Sequence, residues 1–133
     1  MTGENRRENA ASELARAAQS LRAAEVLIEA SLLHDAESRL YYALYHAAVA
    51  ILLTEGIEPR SHAGTANLLG LHFIKTGRLS PDDGRLFARI QKYRLEADYG
   101  RDFVLTEPAL REDFVACAAF IERTRGIVAR SLP

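Results

Sequence analysis

The run from Leu40 to Leu53 constrains this chain most: in fourteen consecutive residues, His46 is the only polar group besides the tyrosine hydroxyls. A helix that is apolar on nearly every face has to be covered all round, and this run is shorter than the about 20 residues a membrane span needs. It is therefore expected at the centre of a bundle, covered by neighbouring helices or by a second subunit. The flanking sequence supplies the neighbours. From Asn9 to Ser31 there is no proline or glycine, and Leu14, Leu21 and Ile28 recur at heptad spacing with Ala17 and Ala24 beside them. Leu33-His34-Asp35 breaks the pattern, with Asp35 or Ser38 as a candidate cap, and Gly56 ends the central helix after Glu55. Ser61 or Thr65 starts a short third helix that Gly77 closes. Ser80-Pro81-Asp82-Asp83 is a strong start for a fourth, reaching Tyr99: a capping serine, a proline where no amide is needed, and two carboxylates at the positive end of the dipole. Thr106-Glu107-Pro108 opens a fifth, with Leu110, Phe114, Cys117, Ile121 and Val128 at helical spacing.

No period-two alternation or hairpin signal interrupts this pattern, so the fold class is all-α: a four-to-five-helix up-and-down bundle, with helices one, two, four and five as its core and helix three strapped across. Residues 9–130 form the single domain, and residues 1–8 read as a flexible N-terminus. Charge narrows the function. Seventeen basic residues against eighteen acidic ones give a net charge of -1, which excludes a protein that coats polyanions nonspecifically and confines any nucleic-acid contact to a local patch. A single cysteine, Cys117, permits neither an internal disulfide nor a cysteine-rich zinc site, and its apolar row reads as core. Met1 to Ala10 is polar where a secretory leader would be apolar, so a reducing, cytoplasmic location without membrane attachment is expected. Phosphate-binding glycine loops, zinc helices of the His-Glu-x-x-His kind and Glu-x-x-His pairs are absent, and no metal or cofactor is expected.

Two places concentrate polar chemistry. On the central helix, Arg39, Tyr42 and His46 are spaced three and then four residues apart and fall on one stripe, with Tyr41 and Tyr45 on the adjacent one. Burying an arginine and a histidine in apolar surroundings costs several kcal/mol unless partners face them, so this row is either a structural network or a site in which Arg39 anchors phosphate and His46 moves protons. At the end of helix four, Arg94 and Asp98 lie one helical turn apart, followed by Tyr99. An aspartate there opposes the helix dipole and calls for a cation such as Arg39. Upstream, Arg85, Arg89 and Lys92 share a basic face, either solvated or touching phosphate. His62, in the turn before helix three, reads as a solvated or capping residue.

The run Ser38-Arg-Leu-Tyr-Tyr-Ala-Leu-Tyr-His-Ala-Ala, followed by Arg60-Ser-His62-Ala-Gly, His72-Phe-Ile-Lys75-Thr-Gly77 and Arg94-Leu-Glu-Ala-Asp98-Tyr99-Gly100, resembles the HEPN superfamily, the nucleotide-binding domains of higher eukaryotes and prokaryotes. Within it, the sequence is most similar to the small prokaryotic single-domain branch. The resemblance implies a helical bundle, frequently a homodimer, paired with a minimal nucleotidyltransferase as toxin and antitoxin. In catalytically active members an arginine followed within a turn or two by a histidine and then a tyrosine forms a metal-independent endoribonuclease site across the dimer groove. Here Arg94 and Tyr99 match that motif, but Asp98 stands where the histidine would be. An ionised aspartate only accepts hydrogen bonds and ordinarily titrates near ~4, so it cannot protonate a leaving alkoxide at neutral pH. Arg39 and His46 repeat the arginine-histidine spacing on the central helix and are the substitute pair. Two functions stay open: an endoribonuclease using Arg39, Arg94 and His46, or a noncatalytic module in which the same cluster, with Tyr42, Asp98 and Tyr99, binds a nucleotide or a partner.

Overall fold

The computed structural model describes residues 3–99 and 104–131, with the side chains of Ala97, Asp98 and Tyr99 outside that description. Five helices follow in order: α1 (Gly3–Glu29), α2 (Leu33–Thr54), α3 (His62–Leu69), α4 (Pro81–Tyr99) and α5 (Glu107–Ser131). The all-α class and the bundle architecture are as the periodicity predicts. α1 starts earlier than its apolar pattern, at Gly3, so most of the segment read as a flexible N-terminus extends the helix.

α1 and α2 form an antiparallel hairpin, and alanines set its register. Ala10, Ala17 and Ala24 on α1 and Ala36, Ala43 and Ala50 on α2 are all fully buried, and the two sets mirror one another about residue 30. Small residues at seven-residue spacing on both helices allow close approach, whereas Leu14 and Leu21 pack at the margin, half-buried. The turn is tight. Leu32 N–H donates to the Leu27 carbonyl and Ser31 N–H to that of Ile28, with Ser31 in the left-handed region at φ 61°. This is a Schellman stop built on serine instead of glycine. It leads straight into α2, whose start has no side-chain cap, so neither Asp35 nor Ser38 plays that part. Gly56, at φ 74°, closes α2 with the same bond pattern, Ile57 N–H to Leu52 and Gly56 N–H to Leu53.

α2 occupies the centre, with Leu40, Leu44, Ile51 and Leu52 essentially inaccessible, and it touches α1, α3, α4 and α5. α1, α2 and α5 make the main three-way packing. α4 leans chiefly on α2 and meets α5 less extensively, while α3 bridges α2 and α4. Ser61 caps α3, accepting from Gly64 N–H at 2.8 Å, and the helix runs into a π-helical turn at Gly70–Ile74 that the sequence did not foretell. At α4 the start signal forms a reciprocal box: Ser80 Oγ accepts from Asp83 N–H at 3.2 Å, and Asp83 accepts from Ser80 N–H at 3.1 Å. Arg123 of α5 pairs with the same buried carboxylate. No helix among the described residues is long and apolar enough to cross a membrane.

Candidate functional site

The tyrosines of α2 form the floor of a polar cluster. Tyr41 and Tyr45, one turn apart, stack with ring centres 6.2 Å apart, and Tyr42 meets Tyr41 edge-on at 5.4 Å. Three other elements then deliver charged or titratable groups onto these rings.

From α1, Glu13 reaches His46, carboxylate oxygen to Nδ1 at 2.6 Å, with both side chains about four-fifths buried (18% and 20% exposed). The mirrored hairpin register places Glu13 level with residue 47, which is why a residue 33 positions away meets His46. A carboxylate facing Nδ1 accepts a hydrogen bond from that N–H, and in the neutral ring this tautomer leaves the lone pair on Nε2. From the start of α3, His62 lies flat on Tyr45, ring centres 4.4 Å apart, with its Nδ1 2.5 Å from the Tyr41 hydroxyl. Gly64 makes this placement possible, because a Cβ there would lie 2.8 Å from the capping Ser61 Oγ. From α4, Arg94 donates to the Tyr42 hydroxyl at 3.1 Å and sets its guanidinium over the faces of Tyr41 (4.9 Å) and Tyr42 (5.2 Å).

The electrostatics follow from this packing. Burial holds the His62 imidazole below the ordinary histidine value, and the nearby Arg94 and His46 push the same way, so His62 is neutral at pH 7. His62 is exposed as a residue, while its ring packs against those of Tyr45 (4.4 Å) and Tyr41 (5.5 Å). Burial also pushes the Tyr41 hydroxyl up to about 12 against the pull of Arg94, so it keeps its proton.

The structure thus gathers Arg94, Tyr42 and His46 from the sequence reading. Arg39 joins at the edge: half-exposed, not buried, with its guanidinium 5.0 Å from the Tyr42 ring centre. The side chains of Asp98 and Tyr99, and with them the expected Arg39–Asp98 and Arg94–Asp98 contacts, lie outside the description. The basic row on α4 is not an open cationic stripe. Arg85 pairs with Asp82, Arg89 with Asp113 at 2.7 Å, and Lys92 with Glu96 at 3.8 Å. Cys117 is wholly buried and its thiol is pushed up by burial, as befits core. Sequence reasoning missed Glu13 and the role of His62. A groove of about 810 Å³ opens beside the cluster between α1 and the α2–α3 connection, lined by Glu13, Arg16, Tyr45, Glu58 and Arg60 among others.

A family model for the HEPN domain matches residues 11–130. The chain belongs to the HEPN domain family. Among curated relatives, it is 39% identical over 93 residues to a protein of Methanocaldococcus jannaschii named "Putative toxin MJ0605", covering 70% of this chain and 69% of that one. A second protein of that organism, "Putative toxin MJ0142", is 34% identical over 84 residues, 63% of this chain and 57% of its own. A "UPF0332 protein" of Thermotoga maritima is 27% identical over 113 residues, 85% and 86% of the two chains.

Proposed function

We propose that this HEPN domain is the toxin of a cytoplasmic toxin–antitoxin pair and acts as a metal-independent endoribonuclease, working as a homodimer restrained by a minimal nucleotidyltransferase. The observation that carries the reading is the Glu13–His46 pair beside Arg94. A carboxylate-oriented imidazole is what proton abstraction from a ribose 2′-hydroxyl requires, and a neighbouring arginine is what the charge on phosphorus requires. His46 Nε2 takes the 2′-hydroxyl proton as that oxygen attacks the adjacent phosphorus. Arg94, with Arg39 at the rim, neutralises the additional charge, and the 5′-oxygen leaves with a proton from solvent water, whose hydroxide then takes up the proton held by His46. The relatives named as toxins support the biological setting. The groove beside the cluster gives an extended strand room to lie along Arg16 and Arg60.

The test is incubation of purified protein with structured RNAs in excess chelator, alongside His46→Ala and Arg94→Ala and their melting temperatures. Cleavage by wild type that both variants lose while still folded supports the nuclease. A solution mass near twice the 14.7 kDa chain supports the dimer, and a monomer contradicts it.

A second reading rests on the partners that the cluster's groups find in one another: Arg94 on Tyr42, His62 on Tyr41 and His46 on Glu13. In that case the cluster holds the helices together and the protein acts by binding a nucleotide or a partner. RNA left intact by wild type, with both variants losing thermal stability, selects this reading.

A further inference from the structure

We propose that His62 is a phosphodiester-binding residue of this site, presenting its Nε2–H next to Arg94 to a nonbridging phosphoryl oxygen of RNA, with Tyr41 as the positioning residue that fixes its tautomer. The inference deepens the ribonuclease reading and rests on it for the identity of the ligand.

Tyr41 is 1% exposed, and a buried hydroxyl needs a partner. Its one neighbour at hydrogen-bonding distance among the described contacts is His62 Nδ1, at 2.5 Å. Since the phenol keeps its proton, the network assigns Tyr41 O–H as donor and Nδ1 as acceptor, which places the ring proton of a neutral imidazole on Nε2. That nitrogen lies across the ring from buried Tyr41, on a residue that is itself exposed. Stacking on Tyr45 and the Ser61–Gly64 cap hold the ring in place, so little freedom is lost when an anion arrives.

The polarity is opposite to that of His46. There Nδ1–H donates to Glu13 and the neutral ring leaves Nε2 as an acceptor; here Tyr41 donates to the Nδ1 lone pair and Nε2–H is left as a donor. Both rings flank Tyr42 and Tyr45, with His46 centred 6.4 Å and 5.4 Å away and His62 6.2 Å and 4.4 Å. One acceptor and one donor on a shared aromatic floor, with an arginine over that floor, suit a phosphodiester whose 2′-hydroxyl gives up a proton and whose phosphoryl oxygen seeks one. A neutral donor also adds a hydrogen bond without repelling Arg94.

The probe is a 2′-O-methyl RNA oligonucleotide, which cannot be cleaved, titrated by fluorescence anisotropy in parallel with cleavage of the same sequence as all-ribose RNA. His62→Ala should weaken binding of the methylated strand about tenfold, as for loss of one charge-assisted hydrogen bond, in a protein that stays folded with a melting temperature lowered because Tyr41 loses its partner. His62→Gln, whose amide can still donate, should recover most of the affinity. Tyr41→Phe should weaken binding less than His62→Ala, and its His62 ¹⁵N shifts should move from the Nε2–H pattern toward a tautomer mixture. His62→Ala binding as tightly as wild type, no binding by wild type, or an Nδ1–H pattern in wild type each overturns the proposal. Binding that needs His62 while ribose RNA stays intact sinks the nuclease reading alone. Cleavage at wild-type rate by His62→Ala sinks the His62 proposal alone.

Discussion

Glu37 offers a sharp test of the packing. The side chain is fully buried on α2, neither carboxylate oxygen has a hydrogen-bond partner among the described residues, and it lies close to the Arg89–Asp113 pair linking α4 to α5. Burial first, and the Asp113 charge second, push its carboxyl from 4.5 up to about 8, with Arg89 opposing them. The folded protein therefore holds a proton that the unfolded chain releases near 4.5. The group's contribution to stability is complete below that value, falls as pH rises from 4.5, and levels off above 8. At 1.36 kcal/mol per pH unit the loss is about 3 kcal/mol by pH 7 and about 5 kcal/mol at the plateau, a large share of a small domain's stability. Glu37→Gln removes the titration. Urea unfolding of both proteins at pH 5, 7 and 8 should give free energies that nearly agree at pH 5 and diverge by about 3 kcal/mol at pH 7 in favour of the variant. Taking the difference between the two proteins cancels the opposite contribution of His62, whose lowered value adds stability as pH rises. Parallel profiles would mean that Glu37 is solvated or paired in the fold, and the reasoning would fail.

Gly64→Ala should cost about 1 kcal/mol in chemical denaturation, because the added Cβ displaces the Ser61 cap, and it should weaken RNA binding with His62→Ala as the reference. Gly56→Ala, which forces a side chain into the left-handed region at φ 74°, should lower stability by about 1 kcal/mol without affecting the cluster. Cys117, buried with its thiol held protonated, should react with a thiol reagent only as fast as the protein opens, and fast labelling of the native state would contradict its place in the core.

What the sequence revealed and what it hid divide along physical lines. The helices were legible because their signals are local: the Ser80-Pro81-Asp82-Asp83 box, the glycines at 56 and 77, and the uninterrupted run on α2. The π-helical turn after Leu69 was not, since it has no turn residue of its own beyond Gly70. At the site, Arg94, Tyr42 and His46 stood out as polar groups in apolar company. Glu13 did not, because a glutamate on an amphipathic helix reads as solvated. The signal that finds it is the mirrored alanine register of α1 and α2, which sets it beside His46. His62 was hidden by a connection that returns 21 residues of chain onto Tyr41, and only Ser61-His-Ala-Gly64 marks the spot. For the basic row of α4, which the sequence leaves between a solvated face and a phosphate contact, the pairing is only partly local: Arg89 meets Asp113 on α5, beyond any local window. Glu37 shares the core stripe with Leu40, Tyr41 and Leu44, one turn and two turns on, which is the pattern that foretells its burial.

The account turns on whether Glu13, His46 and Arg94 form a working site. The most direct measurement is the single-turnover rate of RNA cleavage by wild type and His46→Ala in excess chelator, with analysis of the new ends. The prediction is 2′,3′-cyclic phosphate ends from wild type, and a loss of about a hundredfold or more in a His46→Ala variant that melts as wild type does. RNA left intact by wild type, or cut equally fast by the variant, would contradict it.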